Sequence, residues 1–196
     1  MRNILIAALV VVAIGLVTRY AVPFFSAGTV DSPFAAYGPV SEEAALGIGS
    51  EVVSGIATRN GALIDQHFAL DDFLTDSIHD LPLRSREREG IITGMRQELG
   101  TGIGTILVRQ IPTGCTPRCL RVGERDGRMR VVVRLNFDGG AINYIEFYLG
   151  RDPQGADRII DVYDHLGGQT MSMNIKGLLF TMLPSLRRTV FERAVA

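Results

Sequence analysis

Apolar residues recur at helical spacing from Ala45 to Leu99, and from Thr105 to His165 they fall on alternate positions. That change of period limits the fold more than any other feature. A 3.6-residue period buries one stripe of a helix, whereas a two-residue period buries one face of a strand. Helices first and strands afterwards point to an α+β domain, because a parallel βαβ sheet needs the two to alternate. Ser41, followed by Glu42 and Glu43, marks a helix start: its hydroxyl can accept an orphan N–H, and the acids suit the positive helix end. Ala45, Ile48, Val52 and Ile56 share one face, so this helix is expected to run to about Thr58. One or two short helices are expected over 62–80, ended by Leu81-Pro82. Ser85 is expected to cap a third helix running through Leu99.

The first strand is expected at 105–111. Strands at 120–124 and 128–137 flank Asp126-Gly127, a two-residue hairpin signal. Turns at 138–140 and 152–155 lead into strands at 142–149 and 158–165, giving an antiparallel meander. An apolar helix is expected over 169–183, as the buried helix of the fold, and a short one over 185–193. Val131, Val133 and Leu135, then Ile145, Phe147 and Leu149, then Ile160 and Val162, should pack under the helices.

The N-terminus decides the compartment. Arg2 precedes an apolar run over 4–17, about 14 residues and roughly 21 Å of helix, too short for a bilayer core. Extending it to Phe25 gives roughly 33 Å, which spans if Arg19 snorkels to the headgroups. The expected organisation is a membrane anchor or signal segment at 1–25, a linker at 26–40 and a single α+β domain at 41–196. Residues 4–25 would make the membrane contact. The charged start and short apolar centre also fit a cleaved signal, although Phe24 and Phe25 crowd the only small-residue run, Ser26-Ala27-Gly28. Either alternative sends the body across the membrane. A bacterial inner-membrane protein facing the periplasm or cell exterior is expected, or a secreted one if the leader is cleaved. The arginine-rich composition, with Lys176 the one lysine, fits a bacterial source.

With Arg2 and Arg19 set aside, the body carries slightly more acidic than basic residues, which argues against a nucleic-acid partner. Cys115 and Cys119 are the two cysteines. In an exported chain so close a pair reads as a disulfide across a loop, with free thiols as the alternative. Cys-x-x-Cys redox spacing is absent, and no zinc ligands cluster nearby.

The order Leu120-Arg-Val, Asp126-Gly127, Arg134-Leu135, Asn143-Tyr144, Arg158-Ile-Ile-Asp161-Val-Tyr163 and, after Gly167-Gly168, Ser172 resembles a group of uncharacterised bacterial proteins. The overall order is also similar to the nuclear-transport-factor-two-like or cystatin-like α+β fold. That resemblance implies a curved sheet wrapped on a long helix. It brings no activity, cofactor or catalytic residue. Gln169 departs from the group, where an acidic residue is expected.

The sharpest polar cluster is Arg134, Tyr144, Glu146, Asp161, Tyr163 and His165, on three strands and on the face opposite the helices. Brought into register, a histidine, two carboxylates and an arginine could serve general acid–base chemistry. Cross-strand pairing on a half-exposed sheet is the plainer explanation. Asp72, Asp76 and Asp80 share a helix face but lack the order of a calcium loop. Gly100-Thr-Gly102-Ile-Gly104 is expected to join a helix to a strand, the reverse of a phosphate loop. No metal, cofactor or nucleophile motif is present. A tethered, non-catalytic binding or assembly module, self-associating or meeting a protein partner through the sheet face, is therefore expected. The alternatives are a small-ligand binder or enzyme with a pocket between sheet and helices, and an apolar-ligand carrier.

Overall fold

The computed structural model describes residues 32–100 and 102–181. A 3-10 helix at Pro33–Ala36 and five α-helices, α1 (Glu42–Ala57), α2 (Ala62–Asp65), α3 (Leu70–Asp76), α4 (Ser85–Glu98) and α5 (Ile103–Gln110), precede the sheet among the described residues. The strands are β1 (Thr116–Arg125), β2 (Arg128–Asn136), β3 (Ile142–Arg151), β4 (Asp157–Asp164) and β5 (Gln169–Thr170). They form one antiparallel sheet in the order β1-β2-β3-β4-β5. A sixth α-helix, α6, follows over 171–181. The arrangement is α+β with the helices leading, as the change of period implies. The expected anchor or signal at 1–25 and the expected short helix over 185–193 lie outside the described residues. Among the described residues, no helix is long and apolar enough to cross a membrane.

Ser41 caps α1 by accepting the Ala44 N–H at 3.2 Å. Ala45, Ile48, Val52 and Ile56 are buried and lie against the inner sheet face, where Val131, Val133, Leu135, Ile145, Phe147 and Leu149 are also buried. The Asp126-Gly127 hairpin forms with both residues at positive φ, 53° and 74°, the backbone of a type I′ turn. In β4 the register shifts opposite Tyr148 and Leu149, so Ile159, rather than Ile160, pairs with Leu149. Ile160 is the extra residue of that bulge, buried on the other side beside Gly150.

Several expectations are corrected. The stretch 105–111, expected as a strand, is helical in α5. Ile103, Leu107, Val108 and Ile111 are buried at i, i+4, i+5 and i+8, a helical stripe that the β-branched content hides. The α5 N-terminus is held from a distance: Asp65 accepts the N–H of Gly104 at 2.6 Å and of Thr105 at 3.2 Å. The glycine run therefore enters a helix, and a carboxylate of the same chain occupies its N-terminus. Helix α4 has Arg84, not Ser85, at its N-cap, and the Glu87 carboxylate accepts the Arg84 N–H at 2.9 Å.

Residues 32–40 are also not a free linker. Phe34 and Val40 are buried, Tyr37 donates to Asp72 at 2.6 Å, and Gly38 exchanges backbone hydrogen bonds with Arg151. Lastly, Gln169 and Thr170 begin no helix: they pair with Asp164 and Tyr163 as an edge strand. Helix α6 is half-exposed rather than enclosed, with Ile175 and Leu179 buried and Met173 and Phe180 facing out.

Cys115 and Cys119 are both free. Cys119 lies within β1, paired with Val133 on the inner face, and Cys115 immediately precedes the strand. Four residues of extended chain separate Cα atoms by about 13 Å, far beyond disulfide reach. The loop expected between them is strand, so the expected bridge does not form. Burial raises the pKa of both thiols and holds them protonated.

Candidate functional site

Pairing of β2, β3 and β4 brings most of the expected cluster together. Glu146 lies opposite Val132 on one side and Tyr163 on the other, so all three share the outer face. Glu146 is 2% exposed, and each carboxylate oxygen has a hydrogen-bond partner. One oxygen accepts from Arg130 and the other contacts His165 Nε2 at 2.9 Å. The His165 ring meets Tyr163 edge-on at 5.0 Å between centroids and Tyr144 at 5.9 Å. The aromatic rings and the Arg130 stem thus close over a carboxylate on a face that the sequence left open.

The electrostatics follow from that enclosure. Burial pushes the Glu146 carboxyl up, but the His165 and Arg130 hydrogen bonds outweigh it and hold the pKa below its ordinary value. Glu146 is therefore a fixed anion at neutral pH. Asp161 behaves oppositely. Burial raises its pKa despite hydrogen bonds from the Ser172 hydroxyl and the Val162 N–H. Asp161 pairs across from Tyr148 and ties β4 to the first turn of α6, apart from the Glu146 centre.

The expected cluster therefore divides. Glu146, His165, Tyr144 and Tyr163 form one centre, Asp161 belongs to another, and Arg134 joins neither. The arginine that pairs with Glu146 is Arg130, two residues before Val132 on the same outer face. Both arginines are diagonal neighbours of Glu146, and sheet twist decides between such diagonals. Arg134 lies opposite Tyr144 and Arg118, and its Nε is buried without a hydrogen bond. Ser172, a marker of the resemblance, gave no sign of its bond to Asp161, which lies eleven residues earlier on β4.

Among the described residues, Val131, Val133, Phe147 and Ile159 have no exposure on the inner sheet face and belong to one core with the buried helix side chains. The Asn143 side-chain amide donates to Asp164 at 2.9 Å. Among the described residues, no group of three His, Cys, Asp or Glu side chains is placed to hold a metal.

No family model and no curated protein matches this chain. A solved structure does: the phospholipid-binding protein from Ralstonia solanacearum in complex with a phospholipid. The match is 14% identical with a TM-score of 0.52, and it covers 79% of this chain and 97% of that one. At that identity the likeness is one of fold.

Proposed function

We propose that the chain is a membrane-tethered, extracytoplasmic binding or assembly module, not an enzyme, whose partner meets the outer sheet face around His165. The observation that carries this is the burial of Glu146 between Arg130 and His165. A general base must reach its substrate's proton, and a general acid must hold a transferable one. Glu146 is 2% exposed and its pKa is held low, so it is matched to neither role. His165, Tyr144 and Tyr163 instead make a shelf of aromatic edges over a locked ion pair, and aromatic residues are common at interface centres. The apolar leader supports the tether. The order of helices and meander also supports placing the domain with the nuclear-transport-factor-two-like folds.

Sedimentation of the full chain in neutral detergent tests this. The wild type should form a larger species with itself or a co-purified partner, and Tyr163→Asp with His165→Asp should release it. A strictly monomeric wild type with no retained partner would count against the proposal.

A second function has a specific observation behind it. The likeness in fold to a phospholipid-binding protein, with Met173 and Phe180 exposed on α6, favours an amphipathic lipid as ligand. A lipid tail would then lie along α6, where Met173 and Phe180 are exposed. Native mass spectrometry of the full chain would show a phospholipid adduct in that case and none if the partner is protein.

A further inference from the structure

Register gathers charge that the composition conceals. Alternation along β1 and β2 puts Arg118, Arg121 and Arg125 beside Arg128, Arg130 and Arg134 on the outer face. The remaining positions of that face are Thr116, Gly123, Val132 and Asn136, with no acid among them. Much of the acidic complement lies on helices instead, including Glu42, Glu43 and Glu51 of α1 and Asp71, Asp72 and Asp76 of α3. A nearly neutral chain thus presents one strongly basic surface.

Half of these arginines have partners. Arg130 is held by Glu146, Arg125 reaches Asp126 at 3.3 Å, and Arg128 donates to the Phe34 carbonyl at 3.1 Å. Arg118, Arg121 and Arg134 have no ion pair among the described residues. Arg118 and Arg134 are direct cross-strand partners. Like charges so placed repel unless an anion sits between them. Leu120, at the register shift between Arg118 and Arg121, is 45% exposed. It puts an apolar side chain among the cations.

We propose that this row docks on an anionic phospholipid surface, with Arg118, Arg121 and Arg134 binding headgroup phosphates and Leu120 entering the headgroup layer. The inference rests on the chain being membrane-tethered, as proposed above. A guanidinium presents paired N–H donors that match two phosphate oxygens, and a leaflet supplies several such anions side by side. An exposed leucine gains from the headgroup–acyl boundary and gains nothing from a nucleic-acid backbone. Arg118 and Arg121 lie on β1, three strands from Tyr163 on β4 and roughly 14 Å away, whereas Arg134 on β2 adjoins Tyr144 and marks where the lipid and partner surfaces meet.

The chain contains no tryptophan, so Leu120→Trp in the full chain is a single reporter. Reconstituted into nanodiscs containing about one-third phosphatidylglycerol, its emission should shift to shorter wavelength and be quenched by brominated lipid. In pure phosphatidylcholine nanodiscs it should report water, and about 0.5 M salt should reverse the anionic response. Arg118→Glu with Arg121→Glu should weaken the quenching at least thirty-fold, about five-fold or more for each charge. Both side chains are exposed, and circular dichroism checks that the variant is folded. Identical emission in the two discs, or an unchanged double variant, overturns the proposal. So does the same response to inorganic phosphate or to a single-stranded oligonucleotide in lipid-free detergent. A chain that fails to co-elute with nanodiscs overturns the tether and this inference together. A chain that co-elutes with a silent reporter overturns the arginine row alone.

Discussion

Glu146 shows why an ionisable group can be prominent in sequence yet structural in the fold. Removing its charge leaves Arg130, itself mostly buried, without a countercharge. Glu146→Gln should therefore lower unfolding free energy by about 3 kcal/mol in urea denaturation at neutral pH. The pH dependence has a definite sign. The folded pKa lies below the ordinary 4.5, so Glu146 stabilises the fold fully above that pH. The stabilisation is lost as pH falls below 4.5 through the folded value. The gap between wild type and Glu146→Gln should accordingly be widest above pH 4.5 and narrow on acidification, as chemical denaturation at stepped pH would show. A gap independent of pH would mean that Glu146 acts through shape rather than charge. Alternation alone put Glu146, Tyr163 and His165 on one face. The choice of Arg130 over Arg134 was not legible, because it depends on twist.

At the scale of elements, the meander was readable and α5 was not. Each hairpin carries its own local signal, such as Asp126-Gly127, whereas α5 is specified by a contact from Asp65, about forty residues away. Asp65→Ala should cost about 1–2 kcal/mol, as loss of a helix cap does, read as a fall in denaturation midpoint. The packing beneath is equally non-local. A Cβ on Gly104 would lie 2.5 Å from Ile64 Cβ and 2.6 Å from the Gly61 carbonyl oxygen. Gly104→Ala should therefore destabilise by about 2 kcal/mol or more, although alanine favours helices elsewhere. The cysteines belong to this scale too. A spacing that suits a looped bridge became unreachable once β1 extended through Cys119. Alkylation of denatured protein without reductant should modify both thiols, and an unmodified pair would show a bridge.

For the whole molecule, fold class followed from period, but the distribution of charge did not follow from its total. Net charge argued against a nucleic-acid partner, yet strand register collects Arg118, Arg121 and Arg134 on one face and the helices take many of the acids. The proposed location and partner rest on the leader, the buried Glu146 centre and the outer sheet face together. Photo-crosslinking of the full chain in its own membrane, from a photoreactive residue at position 163, tests this most directly. A discrete adduct with a second copy or one partner protein, lost on His165→Asp, is the predicted result. A membrane-bound, folded chain that yields no adduct from that position would contradict it.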